Sequence, residues 1–200
     1  GWVQPLPDQP RALLLKPGNL CNLSCRHCHP ATSTGWYRDY YHAKLPGTEN
    51  QTYNEWLSSF SQTRESFNDL NNVWETINEW SPNLVYWDLY GAEPLLIEPL
   101  YQNLKQTAEA GFAKDQDIHI NTNGTIWKDS YRELYSKFRK ASIGISIDAI
   151  GLQAEYMRYP SKWETVYNNL KKYHCLMNEY STIDVHISTT LSLLNIYYAD

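Results

Sequence analysis

Ser142-Ile143-Gly144-Ile145-Ser146-Ile147-Asp148 alternates small or polar residues with isoleucine over seven positions. Side chains along a β-strand point to opposite faces in turn, so one face of this stretch is apolar and the other polar. The pattern recurs in Val85, Trp87 and Leu89 against Asp88 and Tyr90, and in Ile118 and Ile120 against His119 and Asn121. It recurs again in Ile183, Val185 and Ile187 against Asp184, His186 and Ser188. A parallel strand covered on both faces would be apolar throughout. These strands are therefore expected to meet helices on one face and to line a polar cavity with the other, as a charged, hydrogen-bonding ligand requires.

Working outward, strands are predicted at about 12–16, 84–90, 118–121, 142–147 and 183–189. Helical repeats separate them. Tyr53, Trp56, Leu57 and Phe60 mark a short helix, and Leu70, Val73, Trp74, Ile77 and Trp80 the buried stripe of a second, ended by Pro82. Further helices are expected at about 99–110, with Gly111 as its stop, at 130–138 and at 162–177, and a last one near Leu194. Residues 1–10, with Pro5, Pro7 and Pro10, read as an extended lead-in, and the polar, aromatic segment 31–51 as a long functional loop. Strands alternating with helices mean βαβ units and a parallel sheet, hence an α/β fold. An open doubly wound sheet also fits the pattern, although no G-x-G-x-x-G follows the first strand.

The chain has 200 residues, enough for one domain with a sizeable core. Its 17 Lys and Arg against 22 Asp and Glu leave a net charge of −5 without a basic cluster, which argues against a nucleic-acid partner. Neither a membrane-length apolar run nor a signal peptide is present, so a soluble, cytoplasmic setting is expected. With only 4 cysteines a secreted disulfide framework is not expected. Cys175 lies in a helical pattern far from the others and reads as a small buried apolar residue. The chain starts without Met and stops at Asp200 in mid-pattern, which points to a fragment.

The other three cysteines fall within Cys21-Asn22-Leu23-Ser24-Cys25-Arg26-His27-Cys28, directly after the first strand. Three thiolates on one small loop can hold three irons of a four-iron, four-sulfur cluster, which needs four cysteines to be closed. The fourth iron stays open to an exchangeable ligand, the feature that separates a catalytic metal from a structural one. The alternative is a zinc-stabilised, non-catalytic binding module in which His27 or His29 completes a tetrahedron with Cys21, Cys25 and Cys28. Zinc sites usually pair two C-x2-C knuckles, and no second knuckle exists here.

C-x3-C-x2-C in this position resembles the cluster loop of the radical S-adenosylmethionine (radical SAM) superfamily. Gly91-Ala92-Glu93-Pro94 resembles its GGEP motif, Asn121-Thr122-Asn123-Gly124 its TNG segment and Ser146-Ile147-Asp148-Ala149 its SxD segment, in the family's order and over about residues 12–190. The wording of the cysteine loop and the following Trp36-Tyr37 most resemble members with a twitch or SPASM-like auxiliary domain.

The resemblance implies a partial (β/α)6 TIM-like barrel, of which about five units are visible, with residues 12–200 as the core and the sixth unit and any auxiliary domain beyond Asp200. It implies a 4Fe-4S cluster on Cys21, Cys25 and Cys28, and SAM bound on the open iron and cleaved by one electron to a 5′-deoxyadenosyl radical. That radical abstracts hydrogen from a peptide or small-molecule substrate. An external one-electron donor such as a flavodoxin or ferredoxin is implied as partner, and neither membrane nor nucleic acid.

Toward SAM the resemblance assigns the backbone at His27 to the adenine, the turn of Gly91, Ala92 and Glu93 to the amino group, and Ser146 and Asp148 to the carboxylate or ribose. Ala92 stands where the family has its second glycine, which speaks against a positive φ there. Arg158 is a candidate partner of the SAM carboxylate, its planar fork suiting one. Asn121 and Asn123 could line the cofactor edge, although Asn123-Gly124 is also a good turn pair. Asn195 is a further candidate, and His119 and His186 are expected on the lumen as hydrogen-bonded histidines. A core that holds a cluster without turning over is a third possibility.

Overall fold

The structure, a computed structural model, describes residues 9–43, 50–62 and 72–198. Five strands, β1 (Ala12–Leu15), β2 (Tyr86–Leu89), β3 (Asp117–Thr122), β4 (Lys140–Ser146) and β5 (Ile183–Ser188), form one sheet. Every neighbouring pair is parallel and the spatial order is β1-β2-β3-β4-β5. A doubly wound sheet reverses direction at its first strand and takes helices on both faces. This sheet never reverses. It is wound in one direction, as the wall of a partial barrel is, and the α/β fold with five parallel strands follows the partial TIM-like barrel expected.

The alternation sorts the two faces. In register, Leu15, Leu89, Ile120, Ile143 and Val185 form one apolar row, and Leu13, Trp87, Ile118, Ala141 and Ile183 the next. Both rows join one core with residues of the helices α3 (Val73–Trp80), α4 (Glu98–Glu109), α5 (Asp129–Tyr135) and α7 (Trp163–Glu179). Burying each large aliphatic side chain is worth about 1.5–3 kcal/mol. The indole of Trp87 shows how polar atoms are accommodated there: Nε1 donates to Gln116 Oε1 at 2.7 Å, and Gln116 Nε2 donates to the Ser81 carbonyl at 2.6 Å. On the other face, Asp88, His119, Ser142 and Asp184 share one row and Asn121, Gly144 and His186 the next.

The helices follow their stripes. In α4, Leu100, Asn103, Leu104 and Thr107 are buried, and Gly111 at φ +82° ends the segment. In α7 the buried residues are Val166, Asn169, Tyr173 and Leu176. Cys175 is exposed, not buried as expected. At about 100° per residue it lies about 200° round the helix from Tyr173, on the solvent side.

Other expectations shift. The segment taken as a long loop holds a 3-10 turn, Thr34–Trp36, and a helix, α1 (Tyr37–His42), that packs on α2 (Tyr53–Gln62) through Tyr41, Tyr53 and Trp56. A short helix, α6 (Gly151–Met157), stands where none was expected; it buries only Ala154 and Met157 and leaves Leu152 85 % exposed, so no apolar stripe announces it. The helix expected near Leu194 is a 3-10 turn, Ile196–Tyr198. Residues 1–8 of the lead-in, 44–49 of the expected loop and Leu70 lie outside the described residues. No helix among the described residues is long and apolar enough to cross a membrane.

Candidate active site

The cysteine loop crosses the C-terminal ends of the strands, where ligands of parallel α/β sheets bind. It is braced from three directions, two of them by chain distant in sequence. The first brace is the 3-10 turn that follows it. Thr34 Oγ1 accepts from the Cys21 amide at 3.1 Å and donates to the Cys21 carbonyl at 3.0 Å. Ser33 Oγ donates to the Leu23 carbonyl, Ser24 Oγ to the Gly35 carbonyl at 2.7 Å, and Trp36 Nε1 to the Cys25 carbonyl at 3.1 Å. A Cβ on Gly35 would overlap the Leu23 carbonyl, so only glycine lets the two backbones approach.

The second brace comes from the end of α6. The Ser24 amide donates to the Tyr159 carbonyl at 2.6 Å and the Arg26 amide to that of Met157 at 2.8 Å, with the Arg26 guanidinium 4.7 Å over the Tyr156 ring. The third is the turn after β2, whose Glu93 amide donates to the Leu20 carbonyl at 3.0 Å.

Within the loop, Cys25 is buried and Cys21 and Cys28 half-buried, all as free thiols. The pairing of the Cys25 and Cys28 thiols, together with burial, raises the pKa of Cys25, and the same pairing lowers that of Cys28 to about 6. Burial raises Cys21. Among the described residues no group of three or more His, Cys, Asp or Glu is gathered to hold a single ion. The histidines needed for the zinc module are turned elsewhere: His27 Nε2 lies 3.6 Å from Asp148 Oδ2, and His29 Nδ1 accepts from the Ala31 amide at 3.2 Å. The zinc alternative is not favoured.

The turn after β2 holds Gly91 at φ +79° and Ala92 at φ +57°. The positive φ that alanine speaks against at this position is nevertheless adopted: Ala92 takes the left-handed region at a cost of about 1–2 kcal/mol, imposed by its neighbours. Glu93 is 0 % exposed. Its Oε1 accepts from the Leu95 amide at 3.2 Å and Thr122 Oγ1 at 2.8 Å, and its Oε2 from the Asn123 amide at 2.7 Å. Burial outweighs these three donors and pushes the carboxyl up to about 7. Glu93 thus buckles the turn after β2 to the turn after β3.

Across the mouth, Arg158 Nε lies 2.8 Å from Asp148 Oδ2, whose carboxylate is wholly buried. The distance is that of an ion pair, but neither atom makes a hydrogen bond among the described residues. Asp148 Oδ1 accepts from the Thr190 amide at 3.0 Å. Asn195 is fully buried, and its Nδ2 donates to the Asp148 and Thr190 carbonyls at 2.9 Å each, so it supports the Asp148 backbone from within the fold.

The fold therefore gathers Cys21, Glu93 and Asn123 on one side of the mouth and His27, Asp148 and Arg158 on the other, with the Arg158 charge felt at Cys25 and Cys28. Ser146, half-buried, pairs in register with Ser188. Asn121 sits lower on the polar face, over Gly144, and accepts from Ser188 Oγ at 3.5 Å. His119 Nδ1 lies 2.8 Å from Asp88 Oδ1 and its ring stacks on His186 at 5.7 Å, both half-way down the same face. The bracing role of Ser33, Thr34, Gly35 and Trp36 escaped the sequence reading, although a Ser/Thr/Gly run after a cysteine loop is a turn signal in itself.

Two observations test the site against a cluster with SAM. Three thiols lie on one braced loop beside the strand ends, and the buried Arg158–Asp148 ion pair stands with its polar groups at the same mouth. Both fit a bound sulfur-ligated metal group and a polar, zwitterionic ligand.

No curated protein matches the chain. Among solved structures it is similar to Streptococcus suis SuiB bound to precursor peptide SuiA, at TM-score 0.52 and 15 % identity, covering 94 % of this chain and 35 % of that one. It is also similar to histidine-tagged anSMEcpe with bound AdoMet, at TM-score 0.50 and 17 % identity, covering 88 % of this chain and 42 % of that one. The chain thus spans less than half the length of either. The model of the Radical SAM superfamily matches residues 15–187, from the last residue of β1 into β5. The chain belongs to the radical SAM superfamily, whose enzymes use a 4Fe-4S cluster and S-adenosylmethionine.

Proposed function

We propose that this chain is the SAM-cleaving core of a peptide-modifying radical SAM enzyme of the twitch or SPASM subgroup, with Cys21, Cys25 and Cys28 as the ligands of its cluster. Bound there, the cluster and SAM would supply one-electron reductive chemistry at the sulfonium, directed at hydrogen abstraction from a substrate carbon.

The residues of the chain hold and orient. The three thiolates would hold the cluster. Glu93 has its carboxylate occupied by Leu95, Thr122 and Asn123, so the acceptors for the SAM amino group are the carbonyls of the Gly91–Ala92 turn. Arg158, whose Nε faces Asp148, would pair with the SAM carboxylate through its remaining guanidinium N–H groups, Asp148 would accept from a ribose hydroxyl, and the backbone at His27 would meet the adenine. Ser146 and Asn121 line the floor below. The single observation that carries this reading is the braced three-cysteine loop facing the buried Arg158–Asp148 ion pair across one mouth.

The peptide substrate rests on fold analogy with SuiB, which is described with a bound precursor peptide, and on the subgroup wording of the cysteine loop. An external one-electron donor completes the reaction.

Anaerobic reconstitution with iron and sulfide, followed by assay for 5′-deoxyadenosine under strong reductant, tests the reading. A brown protein that forms 5′-deoxyadenosine is expected, and Cys25→Ala should lose the cluster. A colourless protein holding one zinc would overturn the cluster, a cluster without 5′-deoxyadenosine would mark an inert core, and full iron in Cys25→Ala would overturn the ligand assignment.

A further inference from the structure

The side chain of Asn123 has one orientation open to it. Its Oδ1 accepts from the Thr125 amide at 2.9 Å and from Thr125 Oγ1 at 2.6 Å. A backbone N–H can only donate, so the oxygen must face it and the NH2 must face away. On that far side Nδ2 donates to Asn22 Oδ1 at 2.9 Å and lies 3.9 Å from Cys21 Sγ. Two amide protons thus meet two acceptors, of which one is a sulfur.

The arrangement is held from behind. Asn22 Nδ2 donates to Thr125 Oγ1 at 2.9 Å, which closes a ring of hydrogen bonds through Asn22, Asn123 and Thr125. The Asn123 amide is fixed on the buried Glu93 carboxylate, and the residue is 6 % exposed. Such a ring polarises its members and resists rotation of the amide.

We infer that Asn123 is a positioning residue that tunes the redox potential of the cluster by directing an N–H dipole at the sulfur of Cys21. The inference rests on Cys21 being a cluster ligand. Reduction adds one negative charge, spread partly over the ligand sulfurs, and a donor aimed at one of them stabilises the reduced state more than the oxidised one. Hydrogen bonds to the sulfurs are among the known levers on cluster potential. On this reading the amide of Asn123 serves Cys21 and not the edge of SAM.

The test is an anaerobic redox titration of the reconstituted chain without SAM, followed by the electron paramagnetic resonance signal of the reduced cluster. Asn123→Ser keeps a short oxygen for the Thr125 amide but cannot reach the sulfur. At a fixed solution potential its ratio of reduced to oxidised cluster should fall about tenfold, which is ~59 mV for a one-electron couple. Asn123→Ala should fall at least as far, and Asn22→Ala, which keeps the donor to sulfur, should move less. An unchanged midpoint in Asn123→Ser at full iron content would overturn the inference, and should Asn123→Ala fail to assemble, Asn123→Ser decides alone. Full iron in Cys21→Ala would instead overturn the ligand assignment beneath it.

Discussion

Replacing Glu93 by glutamine should change how stability depends on pH. The carboxyl sits at about 7 in the fold against an ordinary 4.5, chiefly because burial penalises its charge. Its folded pKa is raised, so between these values the folded state binds more protons than the unfolded one. Stability is therefore fully present below about 4.5 and falls as the pH rises through about 7. At about 1.4 kcal/mol per pH unit, the gap corresponds to about 3 kcal/mol, with no discount for solvent at a wholly buried group. Glutamine keeps Oε1 for the Leu95 amide and Thr122 hydroxyl but turns a donor toward the Asn123 amide, which costs about 1–3 kcal/mol. The variant should be less stable than the parent at pH 5, and the deficit should vanish or reverse by pH 8. Urea unfolding of the cluster-free chain across that range measures the difference curve, in which the other titrating groups cancel. A difference that stays flat from pH 5 to 8 would refute the account of Glu93 as a carboxylate held against its burial.

Ala92→Gly relieves about 1–2 kcal/mol of left-handed strain against about 0.4–1 kcal/mol of added unfolded-state freedom, so a gain of about 0.5–1 kcal/mol is expected. Calorimetry should register it as a rise of a few degrees in Tm, and a lower Tm would contradict the turn geometry. Gly35→Ala forces the 3-10 turn off the Leu23 carbonyl and should cost about 1–3 kcal/mol, with a loss of bound iron on reconstitution; full iron would mean the brace is dispensable. Arg158→Ala leaves the buried Asp148 carboxylate without its cation and should cost about 3 kcal/mol, while Asp148→Asn in the same chain should recover much of that loss in a thermal melt. Cys175→Ser, at an exposed position on α7, should change stability by less than about 0.5 kcal/mol, and a larger loss would place Cys175 in the core after all.

The sheet was legible because its signal is local. Isoleucine on every second residue in β4, or the stripe of Val166, Tyr173 and Leu176 in α7, is written within a single element and needs no partner to be read. The cysteine spacing is equally local. Two elements escaped: α6, whose buried face amounts to Ala154 and Met157, and the helix α1 within the aromatic segment, which is too short to show a period.

The sequence singles out candidate site residues but not the contacts among them. Glu93 and Arg158 read from the sequence as contacts of a cofactor, and the fold adds what the sequence does not show: Glu93 accepts from Thr122 and Asn123, and Arg158 lies against Asp148. Asn123 was placed at the cofactor edge and turns its amide to Asn22 and Cys21.

By itself, then, the sequence determined that the chain builds parallel strands with one oily and one polar face and carries three thiols on one loop, since periodicity and spacing are properties of neighbouring residues. Which polar group answers which was decided by the tertiary structure alone. Cys21 and Asn123 stand far apart along the chain, and only the register of β1 on β2 and of β2 on β3 brings their turns to the same mouth.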